Sequence, residues 1–151
     1  MTKILFICHG NICRSPMAEL IFKDMVKRRG LEDCFEIASA ATSTEELGEP
    51  IYPPAKRILA EHGLGDSSKR ARQITMADYD AYDLLIGMDD WNIRNMLRKW
   101  GSDSDGKIHK LMEYSGDARD VADPWYSRDF QTTWDDLIEG CEALLDELIS
   151  Q

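Results

Sequence analysis

Short apolar runs and longer segments with apolar residues at helical spacing alternate along this chain. The apolar runs, rich in branched and aromatic residues, are typical of strands buried on both faces. The longer segments are typical of helices with one buried side. The predicted strands are Lys3–Cys8, Phe35–Ala38, Asp83–Met88 and Lys107–Leu111. The predicted helices are Ser15–Arg29, Ala55–Glu61, Thr75–Tyr82, Asp90–Trp100 and Phe130–Ile149.

Strands that alternate with helices indicate parallel pairing through crossover connections. We therefore predict an α/β fold, a three-layer sandwich in which helices flank a small, mostly four-stranded parallel sheet. A chain of 151 residues is expected to form a single domain, 1–151. Ligands of such sheets bind beyond the carboxyl ends of the strands, and Cys8 ends the first strand.

Several local features predict how individual segments end and which side chains are buried. Ser15 and Thr75 are expected to cap their helices, and Gly30 is expected to end the first one. The segment Tyr114–Arg128 is predicted to be a polar loop. Cys34 and Cys141 are expected to be core or half-buried thiols, Trp91 to belong either to the core or to an interaction surface, and the acidic residues of the last helix to form a solvated face.

The formal net charge of -10 changes the expected set of partners. A surface of this sign repels nucleic acid and anionic membranes, so neither is expected to bind. It also repels a phosphorylated substrate at long range. Any phosphate site must therefore be strongly and locally positive.

The four cysteines do not predict a disulfide framework. The apolar run Ile4–Ile7 is too short for the core of a secretory signal. Free thiols in a reducing, cytoplasmic compartment are therefore expected.

The segment from Cys8 to Ser15 has the pattern C-x5-R-S between a predicted strand and a predicted helix. A cysteine nucleophile must react as the thiolate, which the positive end of a helix, a nearby cation such as Arg14 and a hydrogen bond from the Ser15 hydroxyl all favour. The intervening residues can curl around one tetrahedral anion, with backbone N–H groups pointing inward. Such a curl requires positive φ, which Gly10 and Asn11 tolerate best. The pattern indicates phosphoryl transfer to Cys8, with Arg14 holding the phosphate.

A leaving oxygen needs a proton, and Asp123 is the carboxylate with the most suggestive setting. Pro124 keeps Asp123 out of helical conformation, and Trp125 and Tyr126 follow as possible pocket walls. From spacing alone, an Asp-Pro turn with two aromatic residues folded onto the core fits equally well.

At these loops the sequence resembles the low-molecular-weight protein tyrosine phosphatases. The resemblance rests on CHGNICRSP (8–16), SAATS (39–43), ARQIT (71–75), MDDWN (88–92) and DPWY (123–126), and it runs over essentially the whole chain. It implies that Cys8 becomes a phosphocysteine, that Arg14 clamps the phosphate, and that Asp123 is first the acid and then the base. The implied substrates are tyrosine-phosphorylated proteins or small aryl phosphates, with inorganic phosphate as the product and no metal or cofactor.

The resemblance also implies roles around these three residues. Asn11 and Ser39 would hold the shape of the loop, Ser15 would stabilise the thiolate, and Asp89 would support Arg14. The remaining expected site residues are His9, Gly10, Ile12 and Cys13 in the loop and Glu45, Trp125 and Tyr126 in the substrate pocket. Cys13 would form a reversible disulfide with oxidised Cys8.

Three positions depart from the family pattern. His9 replaces a small or apolar residue, and either contacts substrate or is a solvent-exposed loop residue. Lys69 stands where relatives often have a buried histidine that supports the loop, so that support comes from elsewhere or is missing. Thr44-Glu45 replaces an aromatic wall, which predicts an open, acidic side of the cleft and a preference for substrates with basic flanks.

Other functions on the same fold compete with phosphotyrosine hydrolysis as interpretations of this sequence. Arsenate reduction on the same fold needs further cysteines, and the chain has none between Cys34 and Cys141. Phosphoarginine phosphatases carry a threonine at the position of Ile12, and the bulkier Ile12 favours an aryl phosphate. Cys8 and Cys13 could instead form a redox or metal site, but a lone C-x4-C pair offers too few ligands for structural zinc. A non-catalytic phosphate-binding module would leave Asp123 without a purpose.

Overall fold

Four parallel strands form the central sheet of the computed structural model, which describes residues 1–150. They are β1 (Thr2–Cys8), β2 (Phe35–Ala41), β3 (Leu84–Gly87) and β4 (Ile108–Lys110), in the order β2-β1-β3-β4. β1 pairs with β2 along its whole length and with β3 over its central residues. The predicted α/β class and four-stranded parallel sheet are confirmed.

Within residues 1–150, six α-helices accompany the sheet. They are α1 (Arg14–Arg28), α2 (Pro53–Glu61), α3 (Asp78–Ala81), α4 (Asp90–Trp100), α5 (Pro124–Ser127) and α6 (Phe130–Ile149). Short 3-10 turns lie at Glu32–Cys34 and Leu111–Ser115. No helix within residues 1–150 combines the length and the apolar character needed to cross a bilayer.

Side chains of β1 alternate between the two faces of the sheet, and this separates the layers. Phe6 and Cys8 pack in the larger core with residues of α1, α2 and α6, such as Phe22 of α1. Leu5 and Ile7 point the other way and pack with residues such as Met96 of α4. The arrangement is the predicted three-layer sandwich.

The bounds predicted for α4 and α6 are confirmed, because both helices have strong local signals. Asp89 and Asn92 form a capping box at the start of α4. Gly101 ends that helix at a φ of 82°, in the left-handed region that glycine adopts without strain.

Other predicted ends are wrong where tertiary contacts override local signals. α1 begins at Arg14, and Ser15 does not cap it, because the Ser15 hydroxyl is engaged by Cys8 and Asn11 instead. β2 continues to Ala41 because it pairs with the end of β1. Thr75 caps nothing either: its backbone N–H donates to Asp78, and only Asp78–Ala81 is helical.

Three further expectations about polar loops and burial need correction. The predicted loop Tyr114–Arg128 contains the end of a 3-10 turn and the short helix α5. Cys34 is exposed, since it ends a surface turn before β2, whereas Cys141 is buried as predicted and burial raises the pKa of its thiol. The acidic face of α6 is not uniformly solvated, because Asp136 is buried against residues 119–122.

Candidate active site

A cavity of about 660 Å³ opens at the carboxyl end of β1. Ligands of parallel sheets bind at this edge. Its walls come from the loop after β1, from residues 45–46, from the start of α4 and from residues 123–126. Its lining residues are Cys8, His9, Gly10, Ile12, Cys13, Arg14, Glu45, Glu46, Asp89, Trp91, Asn92, Asp123, Trp125 and Tyr126. Asn11, Ser15 and Ser39, the other predicted site residues, are buried and bond to one another beneath the loop.

The sulfur of Cys8 lies among hydrogen-bond donors at the floor of this cavity. The backbone N–H of Asn11 donates to Sγ across 3.3 Å, and the Oγ atom of Ser15 lies 3.0 Å from it. Asn11 Nδ2 donates to the same Oγ at 2.8 Å, which leaves the Ser15 proton free to point at the sulfur. Two hydrogen-bonding groups of the loop, the Asn11 N–H and the Ser15 hydroxyl, thus converge on this sulfur.

Asn11 fixes the curl of the loop. It has a φ of 59°, as predicted, while Gly10 does not have positive φ. A Cβ at Gly10 would lie 3.3 Å from Glu46 Cγ, a tight contact that a small shift of the Glu46 side chain would have to relieve. The amide of Asn11 donates to Ser15 and to Ser39 Oγ at 3.0 Å, and its oxygen accepts from the Arg72 backbone at 3.2 Å. A side chain so fully bonded holds the left-handed turn in place.

Glu19 and Lys69 extend this network behind the loop. Ser39 Oγ donates to the buried carboxylate of Glu19 across 2.5 Å. Lys69 Nζ donates to the backbone carbonyls of Ser39 at 3.0 Å and Arg70 at 3.1 Å, and burial lowers the pKa of Lys69. Lys69 therefore bonds to the segment that carries Ser39, from the position where relatives often have a buried histidine. Glu19 was not predicted as a site residue. Its place on the buried side of the first helix could have indicated one, because a charged residue is rarely buried without a partner.

Arg14 is 3% exposed and is held by partners on three sides. Nη1 donates to Asp89 Oδ2 at 2.8 Å and to the Val121 carbonyl at 3.2 Å, and Nη2 donates to Asp123 Oδ2 at 3.4 Å. Burial disfavours the charge, but the negative groups at Cys8, Asp123 and Asp89 outweigh it and raise the pKa of Arg14. Arg14 is the only Lys or Arg among the described residues that line the cavity. The local positive potential therefore comes from this one guanidinium, the loop N–H groups and the start of α1.

Asp123 lies at the start of α5 and lines the same cavity as Cys8. One of its oxygens accepts from the Trp125 backbone N–H at 3.0 Å, and the other faces Arg14. Trp125 and Tyr126 are 44% and 83% exposed, so they are not folded onto the core. The geometry thus favours pocket walls over the alternative of a structural Asp-Pro turn.

The rim of the cavity carries His9 and Glu45, two of the residues that depart from the family pattern. His9 Nε2 lies 2.9 Å from Glu45 Oε2, and both side chains are exposed. Trp91 is 55% exposed and lines the cavity from the α4 side, a placement that its position in the sequence did not reveal.

Cys13 is the second thiol beside the cavity, and it differs from Cys8 in its surroundings. Burial raises the pKa of the Cys13 thiol, and the charges at Cys8 and Asp123 raise it further. These influences disfavour the thiolate of Cys13, the form in which a cysteine acts as a nucleophile. Across residues 1–150, no group of three or more His, Cys, Asp or Glu side chains is arranged to hold a metal ion.

Comparison with known proteins agrees with the geometry. Residues 3–151 match the model of the family described as low molecular weight phosphotyrosine protein phosphatase. A low molecular weight protein-tyrosine-phosphatase of Bacillus subtilis, YfkJ, is 37% identical over 147 residues, which are 96% of this chain and 94% of that protein. The low molecular weight phosphotyrosine protein phosphatase of Gallus gallus is 36% identical over 149 residues, covering 95% of this chain and 94% of its own length.

A solved structure shows the same fold. The crystal structure of YfkJ from Bacillus subtilis superposes with a TM-score of 0.95 at 36% identity, over 99% of this chain and 96% of that one. A family match over nearly the whole chain, relatives named as phosphatases and a shared fold together show that this chain belongs to the low molecular weight phosphotyrosine protein phosphatase family of hydrolases.

Proposed function

We propose that the chain, as one catalytic domain, hydrolyses aryl phosphates, phosphotyrosine above all, through a phosphocysteine on Cys8. One observation carries the proposal: the sulfur of Cys8 accepts from Asn11 and faces the Ser15 hydroxyl in a cavity that Arg14 and Asp123 also line. A nucleophile, a phosphate clamp and a proton donor are the groups that this reaction needs.

In the first step the Cys8 thiolate attacks phosphorus, so that a P–S bond forms while the P–O bond to the leaving group breaks. Asp123, in its acid form, gives its proton to the leaving oxygen. Arg14 and the loop N–H groups hold the three equatorial oxygens, over which the charge of the transition state is spread. Asp123 Oδ2 accepts from Arg14 Nη2 at 3.4 Å, so the carboxyl lies beside the phosphate clamp.

In the second step water attacks the phosphocysteine. The Asp123 carboxylate takes a proton from that water, the P–S bond breaks, and the thiolate returns as inorganic phosphate leaves. Ser15 and Asn11 stabilise the sulfur as a leaving group through their hydrogen bonds to it.

The walls of the cavity support an aromatic leaving group. Trp125 lines the cavity and packs against Tyr52 with ring centroids 5.2 Å apart, which supports the Trp125 ring from one side. Ile12 is 9% exposed at the cavity floor, where it adds an apolar surface near the phosphate. An aryl ring gains more from these surfaces than the charged guanidinium of phosphoarginine does.

Glu45 and Glu46 give the other side of the cleft an acidic edge. Substrates with basic residues beside the phosphotyrosine are therefore preferred, although the contact of Glu45 with His9 offsets part of its charge. A comparison of phosphopeptides with basic and acidic flanks tests this preference, which equal kcat/KM values would contradict.

The state of the cysteines supports a reducing, cytoplasmic environment and a redox-sensitive site. All four cysteines are free thiols. Cys13 adjoins the reactive loop as the thiol that would trap oxidised Cys8 as a disulfide.

The decisive experiment is a steady-state comparison of phosphotyrosine, phosphoserine and phosphoarginine peptides, with Cys8→Ser as the blank. The phosphotyrosine peptide is expected to have the highest kcat/KM, and Cys8→Ser to have no turnover. Asp123→Ala is expected to lower the rate by about 10²–10⁴-fold for a poor leaving group and to leave phosphate binding largely intact. A preference for phosphoarginine, or normal turnover by Asp123→Ala, would contradict the proposal.

A further inference from the structure

The segment that carries Asp123 has no regular structure of its own. Residues 117–123 form neither helix nor strand. A general acid must nevertheless lie within hydrogen-bond reach of the leaving oxygen. Contacts from the rest of the protein must therefore fix this segment.

The sheet side of the molecule supplies one set of contacts. The N–H of Val121 donates to the Met88 carbonyl at 2.8 Å, and its carbonyl accepts from Arg14 at 3.2 Å. Asp120 accepts from Lys110 Nζ at 3.0 Å. These contacts tie the segment to the end of β3 and to β4, two and three residues before the acid.

Helix α6 supplies the contacts nearest the acid, and they converge on Ala122. The backbone N–H of Ala122 donates to Asp136 Oδ2 at 3.1 Å. Thr133 Oγ1 donates to the carbonyl of Ala122 at 2.8 Å, and this carbonyl belongs to the peptide bond that leads into Asp123. α6 thus holds both backbone polar groups of the residue before the acid.

Asp136 is an unusual member of its helix. It is 8% exposed, and its second oxygen accepts from Arg119 Nη1 at 2.7 Å, so that both oxygens are engaged by residues 119–122. The neighbouring Asp135 is exposed and accepts only from Gln131, at 2.9 Å. Burying a carboxylate is costly unless it is paired and hydrogen-bonded. All of the pairing of Asp136 is directed at the segment that carries the acid.

We propose that Asp136 is a positioning residue for the phosphatase reaction: it fixes Ala122 and thereby the height of the Asp123 carboxyl over the leaving oxygen. The inference rests on the proposed role of Asp123 as the acid. A displacement of about 1 Å in a reacting group can cost about 10²-fold in rate. The loss should fall mainly on the proton transfer, because Asp136 makes its hydrogen bonds to Arg119 and Ala122 and none to the phosphate loop or to Arg14.

A leaving-group comparison tests this directly. Asp136→Asn is measured with phenyl phosphate, whose leaving group needs a proton, and with p-nitrophenyl phosphate, whose leaving group needs it less. We expect kcat/KM for phenyl phosphate to fall about tenfold and that for p-nitrophenyl phosphate to fall at most about threefold, a fraction of what a general acid contributes. Asp135→Asn, one residue away on the same helix, should change neither value. Inhibition by inorganic phosphate should be the same in all three proteins.

A double-mutant cycle separates positioning from a general structural role. Added to Asp123→Ala, Asp136→Asn should cause no further loss with phenyl phosphate, because the group it positions is gone. Thr133→Val removes the second bond to Ala122 and should show the same leaving-group dependence to a smaller degree. It carries the test if Asp136→Asn does not fold.

Equal losses with the two esters, or a full loss on top of Asp123→Ala, would overturn the inference. If Asp123→Ala itself loses no rate with phenyl phosphate, the proposed acid is wrong. If Asp123→Ala loses rate with phenyl phosphate and Asp136→Asn does not, Asp123 is still the acid and only the positioning role of Asp136 is wrong.

Discussion

The carboxylate of Asp89 holds the guanidinium of Arg14 across 2.8 Å with one oxygen and caps helix α4 with the other, which accepts from the Asn92 N–H at 2.7 Å. The orientation of the phosphate clamp and the start of a helix thus depend on the same side chain. Substitutions at Asp89 can separate the two tasks.

Asp89→Asn should keep the cap and weaken the clamp. Asparagine caps helices as well as aspartate does, but it carries no charge to orient Arg14. We expect weaker inhibition by inorganic phosphate with a small change in the free energy of unfolding. Asp89→Ala should weaken phosphate binding similarly and lose about 1 kcal/mol more of the unfolding free energy through the missing cap. Equal stability of the two variants in urea would contradict this division.

Ser15→Ala should slow the reaction of Cys8 with an alkylating reagent at neutral pH. The Ser15 hydroxyl lies 3.0 Å from the sulfur, and its loss removes one donor that favours the thiolate. The measurement is the rate of inactivation by iodoacetamide, with Ser150→Ala, in the exposed turn after α6, as the control. An unchanged rate for Ser15→Ala would show that the backbone donors and the helix suffice.

Trp91→Ala should raise KM for aryl phosphates and leave kcat nearly unchanged. Trp91 lines the cavity from α4, on a cleft where the family's usual aromatic wall is replaced by Thr44-Glu45. An aromatic contact contributes about 0.5–1.5 kcal/mol, so we expect a rise of about two- to tenfold. Trp91→Phe should restore most of the affinity, and Leu97→Ala, exposed on the same helix, should have no effect. A KM for Trp91→Ala equal to that of the unchanged protein would show that Trp91 does not contribute to substrate binding.

Cys13→Ser should make oxidation by peroxide harder to reverse. Peroxide converts the Cys8 thiolate to a sulfenic acid, and the Cys13 thiol can then form an S–S bond as water leaves. Without Cys13, further oxidation to the sulfinic acid competes, and thiols do not reverse that product. The measurement is the activity recovered with dithiothreitol after brief peroxide treatment, with the exposed Cys34→Ser as the control. Equal recovery in both variants would exclude a protective disulfide.

Asp103 should make a pH-dependent contribution to stability. Burial tends to raise its pKa, but hydrogen bonds from Tyr79 and from the backbone N–H groups of Ile108 and Lys107 outweigh burial and hold the pKa below the ordinary value of 3.8. A carboxyl whose pKa falls on folding stabilises the protein above its unfolded value, and that stabilisation is lost as the pH falls through the folded value.

Asp103→Asn should therefore lower the free energy of unfolding at neutral pH, by about 1 kcal/mol. The difference from the unchanged protein should shrink and vanish as the pH is lowered through and below 3.8. Asp105→Asn, exposed in the same turn, is the matched control. A difference that stays constant down to acid pH would contradict the linkage.

Local sequence patterns were enough to predict much of this molecule. The end of β1, the loop to Arg14 and the bounds of α4 and α6 depend on residues close to one another in the chain, so their signals survive in the sequence. Asp123 needed the family resemblance, because its neighbours alone fitted a structural turn equally well.

The supporting residues could not be predicted, because their partners are distant in sequence. Asp136 looked like one more acid on a solvated helix face, and only the path of residues 119–122 across that face explains its burial. Lys69 reaches the Ser39 carbonyl from a loop 30 residues away. The polar residues that support a site do so through tertiary contacts, and the periodicity of apolar residues does not predict those contacts.

The central position of β1 has a consequence for how activity is acquired during folding. Cys8 is the last residue of a strand that is paired on both sides, opposite Ala41 of β2. A slip of one residue in this register would move the sulfur by about 3.3 Å and turn it to the other face of the sheet. The strand register therefore fixes the position of the nucleophile. Catalytic activity should appear in refolding molecules only after β1 has paired with both β2 and β3.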